Sequence, residues 1–350
     1  MKFNGLTGVF SLGYIALLSV LSLFAYALSP DNSPNANQMH LSIHSKPPGF
    51  ETQMLLLPIS KSEEKGSFFW GYPSLYEEIP IQSWRYSNKQ LEIQPYGAAE
   101  GYYESISINR LPKYIDQEKL EKKWIVNQKF LLGTDKYGRD LLSRLLIGSR
   151  ISLSIGLVAV IISLLIGTFF GAIAGYYGGV LDQIIMGLIN IVWSIPTLLM
   201  VIGITLVLGR GFWQVFIAVG LSMWVEVARL VRGQVISVKE KTYIEAANAL
   251  GYSHFRIIFL HILPVIAGPI IVMASANFAS AILIESGLSF LGIGAQPPVP
   301  SWGGMVKEHF RYLLLGKPYL ALIPGFAIMS LVLTFMTLGN LLQDYFDVKY

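Results

Sequence analysis

Six stretches of this sequence contain no Asp, Glu, Lys or Arg: Phe3 to Pro30, Ile151 to Leu181, Gln183 to Gly209, Gly211 to Val225, Ile262 to Ile284 and Tyr319 to Gln343. A helix needs about 20 apolar residues to cross roughly 30 Å of hydrocarbon. Five of the stretches are long enough unaided, and the fourth becomes so by taking in Glu226 and Arg229 near one end. Six spans are expected, near 6–28, 150–173, 185–208, 212–231, 264–285 and 319–341. The 350 residues are 53% hydrophobic and 14% charged, where a soluble domain carries about 25% charge. A cytosolic or nuclear globular protein is thereby excluded.

The charge that exists is concentrated. Residues 31–130 hold 11 Lys or Arg and 12 Asp or Glu, 23 of the 48 charged residues (26 basic plus 22 acidic). Lys and Arg in short loops mark the cytoplasmic side. The fourth-to-fifth connection carries Arg229, Arg232, Lys239, Lys241 and Arg256, whereas the third-to-fourth carries only Arg210. Counting outward places both termini inside and residues 30–149 outside, although Arg139, Arg144 and Arg150 run against this. The first span also reads as a secretory signal, with a small-residue cleavage pattern at Ala25, Tyr26 and Ala27. Its uncharged run is longer than a signal core of about 7 to 15 residues, which favours a retained anchor.

Between the first two spans, Trp70, Trp84 and Trp124 supply core material, and Leu91, Ile93 and Ser105 to Ile108 alternate as strands do. A small mixed α/β extracytoplasmic domain is expected there. Beyond it, Thr134 or Asp135 can cap a helix with an apolar face of Leu141, Leu142, Leu145 and Leu146 and an Asp140–Arg144 pair, lying flat at the outer surface.

Several chemistries have no residues to perform them. There is no GxxxxGK[ST] loop to cradle nucleotide phosphates, and neither HExxH nor GxSxG occurs. The net charge of +4 is too small and scattered for a nucleic-acid footprint, and with no Cys there is no disulfide or thiolate site. His254 and His261 lack a third ligand at metal spacing. An ion-coupled secondary transporter keeps titratable groups within its spans, yet Asp182, Glu226 and Glu285 all fall near span ends. A membrane sensor would need a signalling domain, and an intramembrane hydrolase a nucleophile and base.

Polar groups inside the spans reduce to residues such as Asn190, Ser194, Thr205, Ser275, Asn277 and Ser280. They serve helix packing or line a pore. Pro196 lacks an amide donor and should kink the third span beside Ser194, again for packing or for a bend along a pore. Asn190, Ser194, Pro196 and Asn277 are the candidate pore or gate positions.

From Ser237 to Pro264 the loop reads SVKEKTYIEAANALGYSHFRIIFLHILP. Glu240, Tyr243, Ile244, Ala247 and Leu250 keep helical spacing, Gly251 can end that helix, and Ser253 can cap a second. Ala246, Ala247 and Ala249 form a small-residue face. The residues alone allow either a docking helix or an amphipathic helix lying on the membrane.

Glu245, Ala246, Ala247, Gly251, Leu263 and Pro264 resemble the EAA loop of permease subunits of bacterial ABC importers. Similar stretches are LLGTDKYGRDLLSRLLIGSRISLSIG at 131–156, AGYYGGVLDQIIM at 174–186, ARLVRG at 228–233 and ESGLSFLGIGAQPPVPSWGGM at 285–305. Over about residues 131–347 the chain is similar to the second permease subunit of dipeptide, oligopeptide and nickel importers. Gly187 and Asn190 stand where that family often has Arg and Asp, and residues 31–130 lie outside the resemblance.

An all-α polytopic fold of six spans is expected, in which the residues themselves give an anchor (1–29) and the insertion (30–130), and the resemblance implies the interfacial segment (131–149) and a five-helix core (150–347). Its EAA residues imply a coupling helix that docks on a cytoplasmic ATPase. Pro297, Pro298 and Trp302 are the candidate contacts to a binding protein. The implied partners are a homologous second permease, two ABC ATPase subunits, an extracytoplasmic substrate-binding protein and membrane lipid. ATP and Mg would belong to the ATPases, with no cofactor and no catalytic residue on this chain. The expected function is peptide import by alternating access across the bacterial inner membrane. Nickel chelates or another small solute are the alternative cargo.

Overall fold

The computed structural model describes residues 6–59, 66–87, 90–106, 123–209 and 211–347. Ser107 and Ile108 of the expected strand and Arg210 of the charge count lie outside the described residues.

The apolar stretches fold as helices. Helix α1 (Leu6–Leu23) is broken at Phe24 and continues as the single turn α2 (Ala25–Leu28). The second span is α3 (Leu141–Tyr177), the fourth α6 (Phe212–Lys239), the fifth α8 (Ala267–Leu291) and the sixth α10 (Tyr319–Asp347). These four are long and apolar enough to cross a membrane. The third expected span is two helices, α4 (Gly179–Trp193) and α5 (Thr197–Leu208), bent by 90°. The bend falls at Pro196, which caps α5. At 18 residues, α1 is about 27 Å long, just under the hydrocarbon thickness.

One expectation fails at the start of α3. Residues 131–140 are turns rather than helix, and Leu141 opens a helix that runs unbroken for 37 residues. No separate flat helix occupies 131–149. Asp140 is the cap, accepting from the Ser143 amide at 2.8 Å, in place of Thr134 or Asp135. Arg144 turns away from Asp140 towards Asp135, at 3.6 Å. The physical reason is that the Asp140 carboxylate is engaged by the Ser143 amide and hydroxyl, while the wholly buried Asp135 leaves its charge to be shared by Arg139 and Arg144.

Helices α3 and α6 pack along a glycine seam. A Cβ on Gly167 would stand 2.5 Å from the Val227 Cβ, on Gly171 2.5 Å from the Ala228 carbonyl oxygen, and on Gly175 2.8 Å from that of Arg232. Glycines four apart line one helix face and let two backbones approach closely. The repeat is visible as GTFFGAIAG from Gly167 to Gly175.

The insertion between α2 and α3 is an antiparallel sheet in the order β4-β3-β2-β1-β5, with 3₁₀ turns at Pro34–Ala36 and Leu41–Ile43. Its strands are β1 (Phe50–Pro58), β2 (Tyr76–Ser87), β3 (Gln90–Pro95), β4 (Glu104–Ile106) and β5 (Ile125–Phe130). Leu91 and Ile93 point into its core with Leu55, Leu57, Ile81 and Trp124. Trp70, expected as core, is instead 73% exposed.

Candidate functional site

The loop after α6 forms α7 (Thr242–Ala249). It ends as a glycine-terminated helix should. The Tyr252 amide reaches the Ala247 carbonyl at 3.2 Å and the Gly251 amide that of Asn248 at 3.0 Å, with Gly251 at φ +76°. Ser253 Oγ then accepts from the Arg256 amide at 3.4 Å. A π-helical stretch, Ile257–Ile262, follows. Its wide turn, with the Leu263 amide on the Ile258 carbonyl at 2.9 Å, leads into Pro264, which has no amide to give.

Burial divides α7 into two faces. Ile244 and Ala247 pack inward on Val235, Val238, Ile257 and Ile262, so Ala247 holds the helix to its own subunit and is not part of an outward small-residue face. Glu245, Ala246 and Ala249 point out, and so does Leu250, because the helix stops before it can turn inward. Gly251 and Pro264 are exposed, while Leu263 is half-buried against the inward cluster. The outward surface continues through Phe255, 69% exposed and 4.2 Å from the Phe259 ring. Spacing arguments missed these two aromatics, which sit beyond the helix they extend.

The loop is fastened to the spans by polar contacts. Lys239 Nζ donates to the Tyr176 carbonyl at 2.6 Å, at the carbonyl end of α3, where a cation is favoured. The Tyr176 hydroxyl is 2.8 Å from His254 Nδ1. The end of α3 is thereby tied both to the end of α6 and to the turn that follows α7.

The candidate pore residues separate. Asn190, Ser194 and Pro196 lie on the exposed side of the α4–α5 bend. Asn190 Oδ1 accepts from Arg229 Nη2 at 3.3 Å, and the Arg229 guanidinium lies 3.9 Å over the Trp193 ring. Asn277 is elsewhere, buried in α8 with its Nδ2 unpartnered. Glu285, read from sequence as near a span end, stands six residues before the end of α8 and is buried there, where one oxygen accepts from Ser289 Oγ at 2.7 Å and the other has no partner.

On the opposite face, Pro297 and Pro298 are exposed, but Trp302 is not. Only 2% of it is accessible, and its indole nitrogen donates to the Leu145 carbonyl at 2.9 Å. Trp302 is a core residue of α9 (Trp302–His309), and it cannot serve as a docking contact. Beside the prolines lies a cavity of about 560 Å³ whose charged lining is Lys136, Arg144, Lys307 and Arg311 against one carboxylate, Glu308. Below it, Asp135, Glu308 and His309 bring three ligand-type atoms within 4.8 Å. Arg139 already binds both carboxylates, at 2.6 and 3.1 Å, so the group reads as an ion-pair network. Burial holds the His309 imidazole below its ordinary pKa. The network escaped sequence reading because its members are up to 174 positions apart (309 minus 135).

A family model described as "Binding-protein-dependent transport system inner membrane component" matches residues 167–350. The chain is 41% identical over 218 residues to the glutathione transport system permease protein GsiD of Pectobacterium atrosepticum, covering 62% of this chain and 72% of that one. It is 43% identical over 217 residues to the dipeptide permease DppC of Alkalihalophilus pseudofirmus, 62% and 71% of the two chains. Against the oligopeptide permease OppC of Haemophilus influenzae it is 41% identical over 217 residues, 62% and 70%. Among solved structures, an inward-facing MetNI methionine ABC transporter chain aligns with a TM-score of 0.47 at 18% identity, covering 56% of this chain and 93% of that one.

Proposed function

The chain belongs to the binding-protein-dependent transport system inner membrane component family, and on that premise we propose that it forms half of a peptide-translocation pathway, paired with a homologous second permease. As a transport permease it is not an enzyme, and ATP hydrolysis resides in partner proteins of these systems. The family implies partnership with ATPase and substrate-binding components. The peptide cargo is supported by relatives named for glutathione, dipeptide and oligopeptide transport.

The observation that carries the coupling role is α7, held by Ile244 and Ala247 with Glu245, Ala246, Ala249 and Leu250 left outward. Two cytoplasmic ATPase subunits, using ATP and Mg, would close on that surface and its counterpart. The contacts of Lys239 and His254 with Tyr176 would carry the motion into α3 and α6. This reading puts both termini and α7 in the cytoplasm and the β-sheet outside. There Pro297, Pro298 and the basic cavity would meet the substrate-binding protein. Asn190, Ser194 and Pro196, at the bend, are the proposed gate, with Asn277 on the pathway through α8.

The test is peptide uptake and ATPase stimulation in the reconstituted complex with and without Glu245→Lys. Uptake should fall while the complex still assembles. Absence of ATP-dependent peptide uptake by the wild-type complex would overturn the cargo assignment, and intact coupling in Glu245→Lys would overturn the docking role alone.

A further inference from the structure

The tip of the extracytoplasmic insertion carries aromatic side chains that the sheet's core does not use. Between Ser67 and Gly71 the chain closes on itself: Ser67 and Gly71 exchange backbone hydrogen bonds at 2.8 and 2.9 Å, and the Trp70 amide returns to the Ser67 carbonyl at 3.2 Å. The Phe69 amide donates to Ser67 Oγ at 3.2 Å, and its carbonyl accepts from Arg150 Nη1 at 2.6 Å. These backbone groups have internal partners, the condition for entering a poorly hydrated layer.

The closed tip is also fixed in place. The Tyr72 amide donates to the Asn32 carbonyl at 2.9 Å. Gly71, at φ +86°, lies so close to the chain after α2 that a Cβ there would stand 2.8 Å from the Asn32 oxygen and from the Tyr26 ring. Phe68 meets Phe24 edge-on at 5.7 Å, and Arg150 of α3 stacks over the Tyr26 and Phe69 rings at 5.2 and 5.7 Å. The tip thus lies level with the end of α1 and the first turns of α3. Phe69 is 50% exposed and Trp70 73%. Phe68 carries the ring contacts from Phe24 to Phe69, and Phe24 follows a helix on which Val9, Phe10, Leu17, Val20 and Leu23 are exposed as well.

We infer that residues 67–72 form a membrane-inserted aromatic anchor, seating Phe69 and Trp70 among lipid headgroups at the end of the first span. Trp is favoured at that depth because an apolar ring with a polar N–H edge suits the boundary between headgroup and hydrocarbon, and the Phe69 ring beside it adds apolar area. The partner is the lipid surface beside α1, and the anchor fixes how the β-sheet stands over the helices. The anchor is a property of the insertion and the first span, independent of the cargo that the complex carries.

The chain has no Cys, so single-cysteine spin labels report one site at a time. Trp70→Cys and Phe69→Cys, with Tyr102→Cys on an exposed part of the insertion and Leu17→Cys in α1 as references, are placed in the full complex in phospholipid vesicles. The unmodified complex gives the background from other subunits. At positions 69 and 70, accessibility to oxygen should exceed accessibility to a water-soluble nickel chelate, as at 17, and the order should reverse at 102. Nickel accessibility at 69 and 70 equal to that at 102 would overturn the anchor. Shielding from both relaxants would also overturn it and assign the tip to a protein partner.

Discussion

Arg232 and Asp182 form a two-point ion pair between α6 and the first turn of α4, with Nε on Oδ1 at 2.5 Å and Nη2 on Oδ2 at 2.6 Å. It is the one strong polar tie between α6 and the bent span among the described residues, one helical turn from Arg229 on α6 and eight residues before Asn190 on α4. Both side chains are partly exposed, which discounts their worth. Asp182→Asn should cost about 1–2 kcal/mol, the range of charge-assisted hydrogen bonds reduced for solvent. Arg232→Lys should cost nearly as much, because an ammonium cannot reproduce the paired geometry. Thermal unfolding of the purified complex measures both, and a neutral Arg232→Lys would show that charge alone suffices.

One glycine in the α3–α6 seam and one outside it on α6 give opposite predictions. Gly171→Val would drive a branched side chain into the Ala228 backbone, 2.5 Å from where its Cβ must sit. A loss of about 1–3 kcal/mol, the usual cost of overpacking, is expected. Gly233 of α6 has nothing within 4 Å of its Cβ position. Gly233→Ala should gain about 0.5–1 kcal/mol through helix propensity. Unfolding midpoints of the two variants should move in opposite directions, and a Gly171→Val protein as stable as wild type would mean that the helices are not in this register.

The spans were legible because exclusion of charge is a one-dimensional property, written residue by residue. The bend at Pro196 was legible for a similar reason, since a missing amide acts locally. What failed depended on contacts across the fold. Asp140 caps α3 because residues 131–140 are held in turns, with Asp135 accepting from the Tyr137 and Arg139 amides, and no helical pattern in the sequence displays that delay. Trp302 looked like a surface residue of a proline-rich loop, yet Gly148 of α3 leaves room for its ring, 3.2 Å from the glycine's Cβ position. Within α7, helical spacing assigned Ile244 and Ala247 correctly to one face, but it could not see that the helix ends before Leu250 joins them. The Gly167, Gly171, Gly175 repeat was available in sequence and would have predicted a close helix contact on that face of α3, with the partner left to the fold.

His309 gives a pH dependence whose sign follows from burial. Desolvation lowers its pKa, opposed by the nearby Asp135 and Glu308 carboxylates, while Lys136 adds to the lowering. Below about pH 6.5 the unfolded imidazole takes up a proton that the folded one resists, so stability is complete above that value and declines as pH falls towards the depressed folded pKa. His309→Gln should flatten the part of the stability profile below pH 6.5 that this group causes. Denaturant unfolding of wild type and variant at pH 7.5 and 5.5 is the measurement. An unchanged difference between the two pH values in the variant would assign the effect to other groups.

Gly251 lets the coupling surface be tested without touching its outward side chains. At φ +76° it occupies a region that costs an L-residue roughly 1–2 kcal/mol, and the two hydrogen bonds that stop α7 depend on it. Gly251→Val should therefore fray the last turn of α7, moving Ala249 and Leu250 while Ile244 remains packed on Val235 and Val238. If α7 transmits the motion of the ATPases, the variant should assemble normally and hydrolyse ATP with reduced peptide uptake per ATP. Gly251→Asn, whose side chain tolerates positive φ, should recover much of that ratio. An uptake-to-hydrolysis ratio equal to wild type in Gly251→Val would mean that the end of α7 carries no force.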